Sequence, residues 1–253
     1  MNLAIVKISG KSLETFISST IGASLINELK EKYSSVILIH GGGNLITEWS
    51  KKLGIESSFF EGQRITDSKG MEVTAAVQDG LINSKLTSYL QSNSIQSIGL
   101  NGIDMGLFKA EYLNDKLGFV GNPLPNQSYQ WLETLLGNGI VPVFSSVCAD
   151  GKGNLMNVNA DLFAGAIAKL LKAETILFVS DLDGVMLNGE FQSSLSVDDV
   201  HEGLSTGEIN GGMIPKMNTC LNLLSNGIKN IWIGNNFNEI TNSESNLGTW
   251  IIG

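Results

Sequence analysis

The run Ser35-Val36-Ile37-Leu38-Ile39-His40-Gly41-Gly42-Gly43-Asn44-Leu45-Ile46-Thr47-Glu48-Trp49 decides the fold. Its apolar, β-branched opening reads as a buried strand over 35–40. The glycines stop that strand, and a helix over 44–53 follows with Leu45, Ile46 and Trp49 facing inward. Upstream, a strand over 3–8 ends at Ser9-Gly10, and a helix over 21–33 buries Leu25, Ile26 and Leu29. Strand, helix, strand, glycine turn and helix in this order is the βαβ logic of a parallel sheet.

The pattern continues downstream. Strands are expected over 95–100, 140–147 (containing Pro142), 175–179, 231–234 and 249–252, with helices over 68–91, 129–136, 160–173, from 197, and over 217–226. Gly80 inside the helix over 68–91 costs about 1 kcal/mol relative to Ala, so a neighbour is expected to pack closely there. Hairpin turns are expected at Asn114-Asp115 and Asn188-Gly189, and a tight turn over 150–154. The sum is an α/β fold: an open, mainly parallel sheet with helices on both faces, a three-layer sandwich. With no repeat or linker in the sequence, any division falls in continuous structure near Ala173, giving an N-terminal lobe 1–173 and a C-terminal lobe 174–253.

A formal net charge of −9 over 253 residues excludes a general nucleic-acid binder, which presents a basic face. No apolar run reaches membrane-spanning length, and Met1-Asn2-Leu3-Ala4-Ile5 has no basic leader region, so an unprocessed cytoplasmic protein is expected. Cys148 and Cys220 have no metal-type spacing and suit a reducing compartment. Acidic small substrates remain compatible with this charge, because a few placed cations act at contact range.

Several residues have the composition of phosphate chemistry. Gly41, Gly42 and Gly43, between strand and helix, let backbone N–H groups face an anion, although three glycines alone also make an ordinary βα turn. Gly10-Lys11-Ser12 resembles the end of a P-loop, but Ile5 stands where the motif needs glycine. No GxGxxG follows the first strands, which removes a Rossmann dinucleotide site. Lys7, in or at the end of an apolar strand, is either an exposed edge residue or a cation at the edge where ligands of open α/β folds bind. The second is favoured because Gly41 to Gly43 should end on the same edge. Asn159 reads as the cap of the helix over 160–173, placing Asp161 in its first turn. Lys216 opens a helix after a glycine-rich loop, a position the dipole disfavours for a cation unless an anion sits beside it. Arg64 is placed to grip a carboxylate, and Ser180-Asp181 with Gly184 is either a nucleotide-contacting turn or an ordinary β-turn.

As a set, Lys7-Ile8-Ser9-Gly10, His40-Gly41-Gly42-Gly43, Gly62-Gln63-Arg64-Ile65-Thr66-Asp67, Asn157-Val158-Asn159-Ala160-Asp161, Ser180-Asp181 with Gly184-Val185, and Gly211-Gly212-Met213-Ile214-Pro215-Lys216 resemble, in order, the amino acid kinase family. The resemblance covers nearly the whole chain and is closest to members acting on the γ-carboxylate of N-acetyl-L-glutamate in arginine biosynthesis. It implies phosphoryl transfer from ATP by positioning and charge neutralisation. By this resemblance Lys7 and Lys216 neutralise the transferring group and Asp161 holds both lysines. Gly41, Gly42, Gly43, Arg64, Asn157 and Asn159 hold the acyl amino acid. Gly10, Ser180, Asp181, Leu182, Asp183, Gly184, Val185, Met186, Glu208, Ile209 and Asn210 border the nucleotide. Mg2+ is held mainly by ATP phosphates and water.

The family loop usually reads Lys-x-Gly-Gly, and here Ser9 replaces the first glycine, so a modest change in positioning is expected. Members inhibited by arginine resemble hexamers joined by an extra N-terminal helix, whereas this sequence begins almost at its first strand. The implied form is a homodimer without arginine feedback, with no nucleic-acid or membrane partner. N-succinyl-L-glutamate as acceptor, and a non-catalytic regulatory homologue, are the alternative readings. A carrier-protein-linked aminoadipate is disfavoured by the acidity and by Ile214-Pro215.

Overall fold

The computed structural model describes residues 2–18, 20–235 and 248–253. Its main sheet contains β1 (Leu3–Ile8), β2 (Ser35–His40), β3 (Ser97–Leu100), β4 (Val141–Phe144), β5 (Thr175–Val179), β6 (Ser194–Ser196), β7 (Asn230–Gly234) and β8 (Thr249–Ile252). Their order is β6-β8-β7-β5-β1-β2-β4-β3. The six strands from β7 to β3 run parallel, whereas β8 pairs antiparallel with β7 and parallel with β6.

Both faces of this sheet are covered, which is why β1, β2 and β5 are buried at every residue. Ala4, Val6 and Ile8 of β1 pack on one side with α1 (Ile21–Lys32), α2 (Gly43–Lys52), α3 (Ser68–Ala75) and α4 (Asn83–Ser92). Leu3 and Ile5 pack on the other with α5 (Gln130–Gly137), α6 (Ala160–Leu171), α7 (Val197–Thr206) and α8 (Met213–Ser225). By alternation Lys7 belongs to the α6 side.

Several local expectations change. Trp49 is 39% exposed, lying outside the buried face that Ile46 occupies on α2, and the Lys52 ammonium stands 5.4 Å from its ring. Nothing packs on Gly80; it lies in a π-helical turn, Ala76–Ile82, joining α3 to α4. The strand expected over 140–147 breaks after Phe144: the side chains of Ser145 and Ser146 are bound by Asp79 and Gln78, and Val147–Ala149 leaves to pair antiparallel with Leu155–Asn157. α8 starts at Met213, with Pro215 in its first turn where no N–H is missed, so Lys216 lies one turn inside the helix.

The hairpin near Asn114 forms between Phe108–Tyr112 and Gly121–Pro125, and the Asn114 side chain accepts from Lys116 N and Leu117 N at the turn. Asn188-Gly189, with φ of 54° and 76°, is the two-residue turn between Val185–Leu187 and Glu190–Gln192.

Candidate active site

Four neighbouring strands end on one edge, and their following loops are tied together there. Ser9 N donates to Val179 O at 2.9 Å, Gly41 N to Ile8 O at 3.1 Å and Ser180 N to Gly234 O at 2.8 Å. Lys7 and the glycines therefore share an edge, as the sequence suggested.

Above that edge a cleft of about 230 Å3 is lined by Lys7, Gly10, Gly41, Gly42, Gly43, Arg64, Asn157, Asn159 and Asp161. Lys7 is 8% exposed and its ammonium lies 2.6 Å from Asp161 Oδ1. Asn159 caps α6, its Oδ1 accepting from Asp161 N at 2.8 Å and Leu162 N at 3.3 Å. The ordinary capping role and the placement of Asp161 are thus one device: the cap orients the first turn and the carboxylate turns to Lys7. Burial pushes the Asp161 carboxyl up, but the charge and hydrogen bond of Lys7, with the more distant charge of Lys216, hold it below the usual carboxylate range. Lys216 does not line the cleft. Burial lowers its ammonium, opposed by Asp161 and reinforced by Lys7.

The glycine turns fit each other closely. A Cβ on Gly10 would stand 3.0 Å from Gly43 N, and one on Gly42 would stand 2.9 Å from Gln78 Cγ. Gly41 departs from the expectation of a free donor, because its N–H is already given to Ile8 O. Gly42 N–H and Gly43 N–H, at the start of α2, donate to no described residue. Ser9 does not have a left-handed φ, so its backbone does not demand glycine. Its hydroxyl lies 2.9 Å from Ser12 Oγ and accepts from Ser12 N at 3.2 Å.

Arg64 reaches the same cleft from a short strand, Gln63–Arg64. It donates to Ser57 Oγ at 2.8 Å, to Gly43 O at 2.9 Å and to Thr47 Oγ1 at 2.6 Å, and stands 4.9 Å over the Phe59 ring. Burial lowers the Arg64 pKa. Asn157 is held by Thr66 Oγ1, which accepts from its Nδ2 at 3.2 Å, and by its own N–H to Phe119 O at 2.8 Å.

The residues read as nucleotide-bordering occupy adjoining loops. Lys11 Nζ meets Asp181 Oδ2 at 2.5 Å, joining the loop after β1 to the loop after β5. Leu182 N donates to Ser180 Oγ at 3.3 Å, and Asn235 donates to the Asp183 carboxylate. Gly184, at φ 145°, lies against Thr249, whose hydroxyl accepts from Val185 N at 2.7 Å. Glu208 accepts from Asn188 N at 2.6 Å, Asn210 donates to Gly207 O at 3.2 Å, and Met186 is exposed. Val185 and Ile209 are buried at 1% and 2%, and their N–H groups are given to Thr249 Oγ1 and Gly203 O, so both residues serve the core.

Among the cleft residues the sequence reading missed are Phe59, Gln78, Val120 and Ser146. Each lies outside the motif stretches. Gln78 sits in the π turn, where ordinary helical spacing does not say which way a residue faces.

A sequence model of the amino acid kinase family matches residues 2–235. The chain belongs to that family. It is 42% identical over 202 residues to an acetylglutamate kinase of Campylobacter hominis, covering 79% of this chain and 71% of the relative. An acetylglutamate kinase of Bacillus licheniformis is 33% identical over 243 residues, covering 91% and 94%. Among solved structures, smu.665 from Streptococcus mutans superposes with a TM-score of 0.81 at 24% identity, covering 99% of this chain and 98% of its own, a likeness of fold. The family's three-layer architecture accounts for both helix layers and for the mainly parallel sheet between them.

Proposed function

We propose that the chain phosphorylates the γ-carboxylate of N-acetyl-L-glutamate with ATP, giving the acyl phosphate used in arginine biosynthesis. The observation that carries this reading is the gathering, in one cleft, of the Lys7–Asp161 pair, two unused N–H groups at Gly42 and Gly43, and Arg64 with Asn157. Relatives bearing the name acetylglutamate kinase support the acetyl group over succinyl, and a kinase over a non-catalytic regulator.

In this reading Arg64 and Asn157 bind the α-carboxylate and amide, while Gly42 N–H and Gly43 N–H orient the γ-carboxylate. That carboxylate is ionised at neutral pH, so no base is needed. As the phosphoryl group moves, Lys7 and Lys216 offset its charge from two sides, and Asp161 holds Lys7 in place. ATP lies along residues 180–186 and residues 208–210 of a lobe 174–253 and reaches Gly10 of a lobe 1–173, which holds the acyl amino acid and also forms a homodimer. Among the described residues no group of three or more His, Cys, Asp or Glu side chains could cage a metal. In this reading a Mg2+ ion would be held by nucleotide phosphates and water, where it would neutralise phosphate charge.

The test is an ATP-dependent assay with hydroxylamine trapping, offering N-acetyl-L-glutamate, N-succinyl-L-glutamate and free L-glutamate. Hydroxamate from the acetyl substrate alone is expected. Hydroxamate only from another acid, or from none with nucleotide binding intact, overturns the reading.

A further inference from the structure

The π turn Ala76–Ile82 has backbone bonds between residues five apart. Gln78 and Asn83 are such a pair, and they are 3% and 6% exposed. Asn83 Nδ2 donates to Val143 O at 2.8 Å and stands 3.2 Å from His40 Nε2. Gln78 Oε1 accepts from Ser146 N at 3.3 Å and from Ser146 Oγ at 3.2 Å. Between them Asp79 accepts from Ser145 Oγ and from Asn101 Nδ2. One helical turn therefore grips consecutive residues just past the end of β4, beside the strand that delivers the glycines.

Gln78 also approaches Gly42 closely, since a Cβ there would meet its Cγ at 2.9 Å. Its amide orientation follows from the bonds: the oxygen faces the Ser146 N–H, and Nε2 donates to no described residue. Both Gln78 and Ser146 line the cleft.

We propose that Gln78 is a positioning residue for the acceptor carboxylate, a strut from Ser146 that sets where Gly42 N–H and Gly43 N–H stand. This rests on the reading above, in which the glycine turn receives that carboxylate. A leucine at 78 fills a similar volume but leaves the Ser146 N–H unpaired and the turn unsupported. Asn83 and Asp79 hold the surrounding frame, so the loss is local.

The experiment is steady-state kinetics on Gln78→Leu, Ser146→Ala and the double variant, beside the unaltered chain, with thermal unfolding of each. Gln78→Leu is expected to raise KM for N-acetyl-L-glutamate and lower kcat, each by roughly 10-fold, with KM for ATP within about twofold. The double variant should be no worse than Gln78→Leu, because both changes break one strut. If Gln78→Leu does not fold, Ser146→Ala must show the same split in smaller degree. A lowered Tm with both KM values and kcat unchanged, or equal effects on both substrates, overturns the inference. An unaltered chain that turns over none of the acids overturns the functional reading, and this inference with it.

Discussion

Lys7 and Asp161 meet at 2.6 Å where the end of a central strand faces the first turn of a capped helix. The pair brings the sheet edge and the helix dipole to bear on one point, and Lys216 adds its charge from α8, in the same helix layer as α6. Replacing Asp161 by Asn keeps the shape and removes the counter-charge. The expected outcome is a kcat lower by on the order of 100-fold, with KM for ATP little changed, in a coupled ADP-release assay. Lys7→Ala and Lys216→Ala should likewise lower turnover more than binding, and an unchanged kcat would remove that lysine from the mechanism.

His40 is fully buried, and burial lowers its pKa from 6.5 to about 4, against a weaker opposing bond at Gly41. The unfolded chain takes up this proton near 6.5 and the folded chain does not, so stability is complete above 6.5 and is lost as pH falls toward 4. The loss amounts to about 3 kcal/mol across that window. Unfolding by urea at pH 7.5 and pH 4.5 should show it, and His40→Gln should flatten the dependence. A flat profile for the unaltered chain contradicts the burial argument.

Ser9→Gly is expected to leave kcat within about twofold and to lower stability by roughly 0.5–1 kcal/mol, since a freer backbone and a lost hydroxyl bond are the only changes. Gly10→Ala is the contrasting change. Its Cβ would press on Gly43 N at 3.0 Å, so turnover should fall sharply while the fold, followed by circular dichroism, persists. Equal kinetics for the two variants would deny that close approach matters.

Arg64→Lys retains charge but loses the planar fork that reaches Ser57, Gly43 and Thr47 together. KM for the acyl amino acid should rise on the order of 10- to 100-fold with KM for ATP unaffected. A parallel rise in both would place Arg64 in the architecture and not in acceptor binding.

Much of this arrangement was legible in the sequence because glycine, lysine and capping residues announce themselves by violating an otherwise apolar pattern. Lys7 interrupts a strand, Asn159 and Asp161 open a helix, and Gly41, Gly42 and Gly43 halt a strand at its end. What stayed hidden depends on tertiary partners. Gly41 looks like a free donor until Ile8 O is seen to occupy it, and Trp49 fits a helical stripe although no layer covers it. Gln78 was invisible for a third reason: a π turn rotates its side chain off the heptad-like spacing by which inward residues are recognised. The direction of β8 was equally unreadable, since a short apolar strand looks the same whichever way it runs.

That strand sets an order of events. β8 lies between β6 and β7, and among the described residues β6 has no other partner in the main sheet. During synthesis β6 emerges some fifty residues before the strand that will hold it, roughly three to ten seconds at ordinary elongation rates. Until Thr249–Ile252 leaves the ribosome, residues 194–196 wait as an unpaired ribbon, while β1, β2, β3 and β4 already have each other.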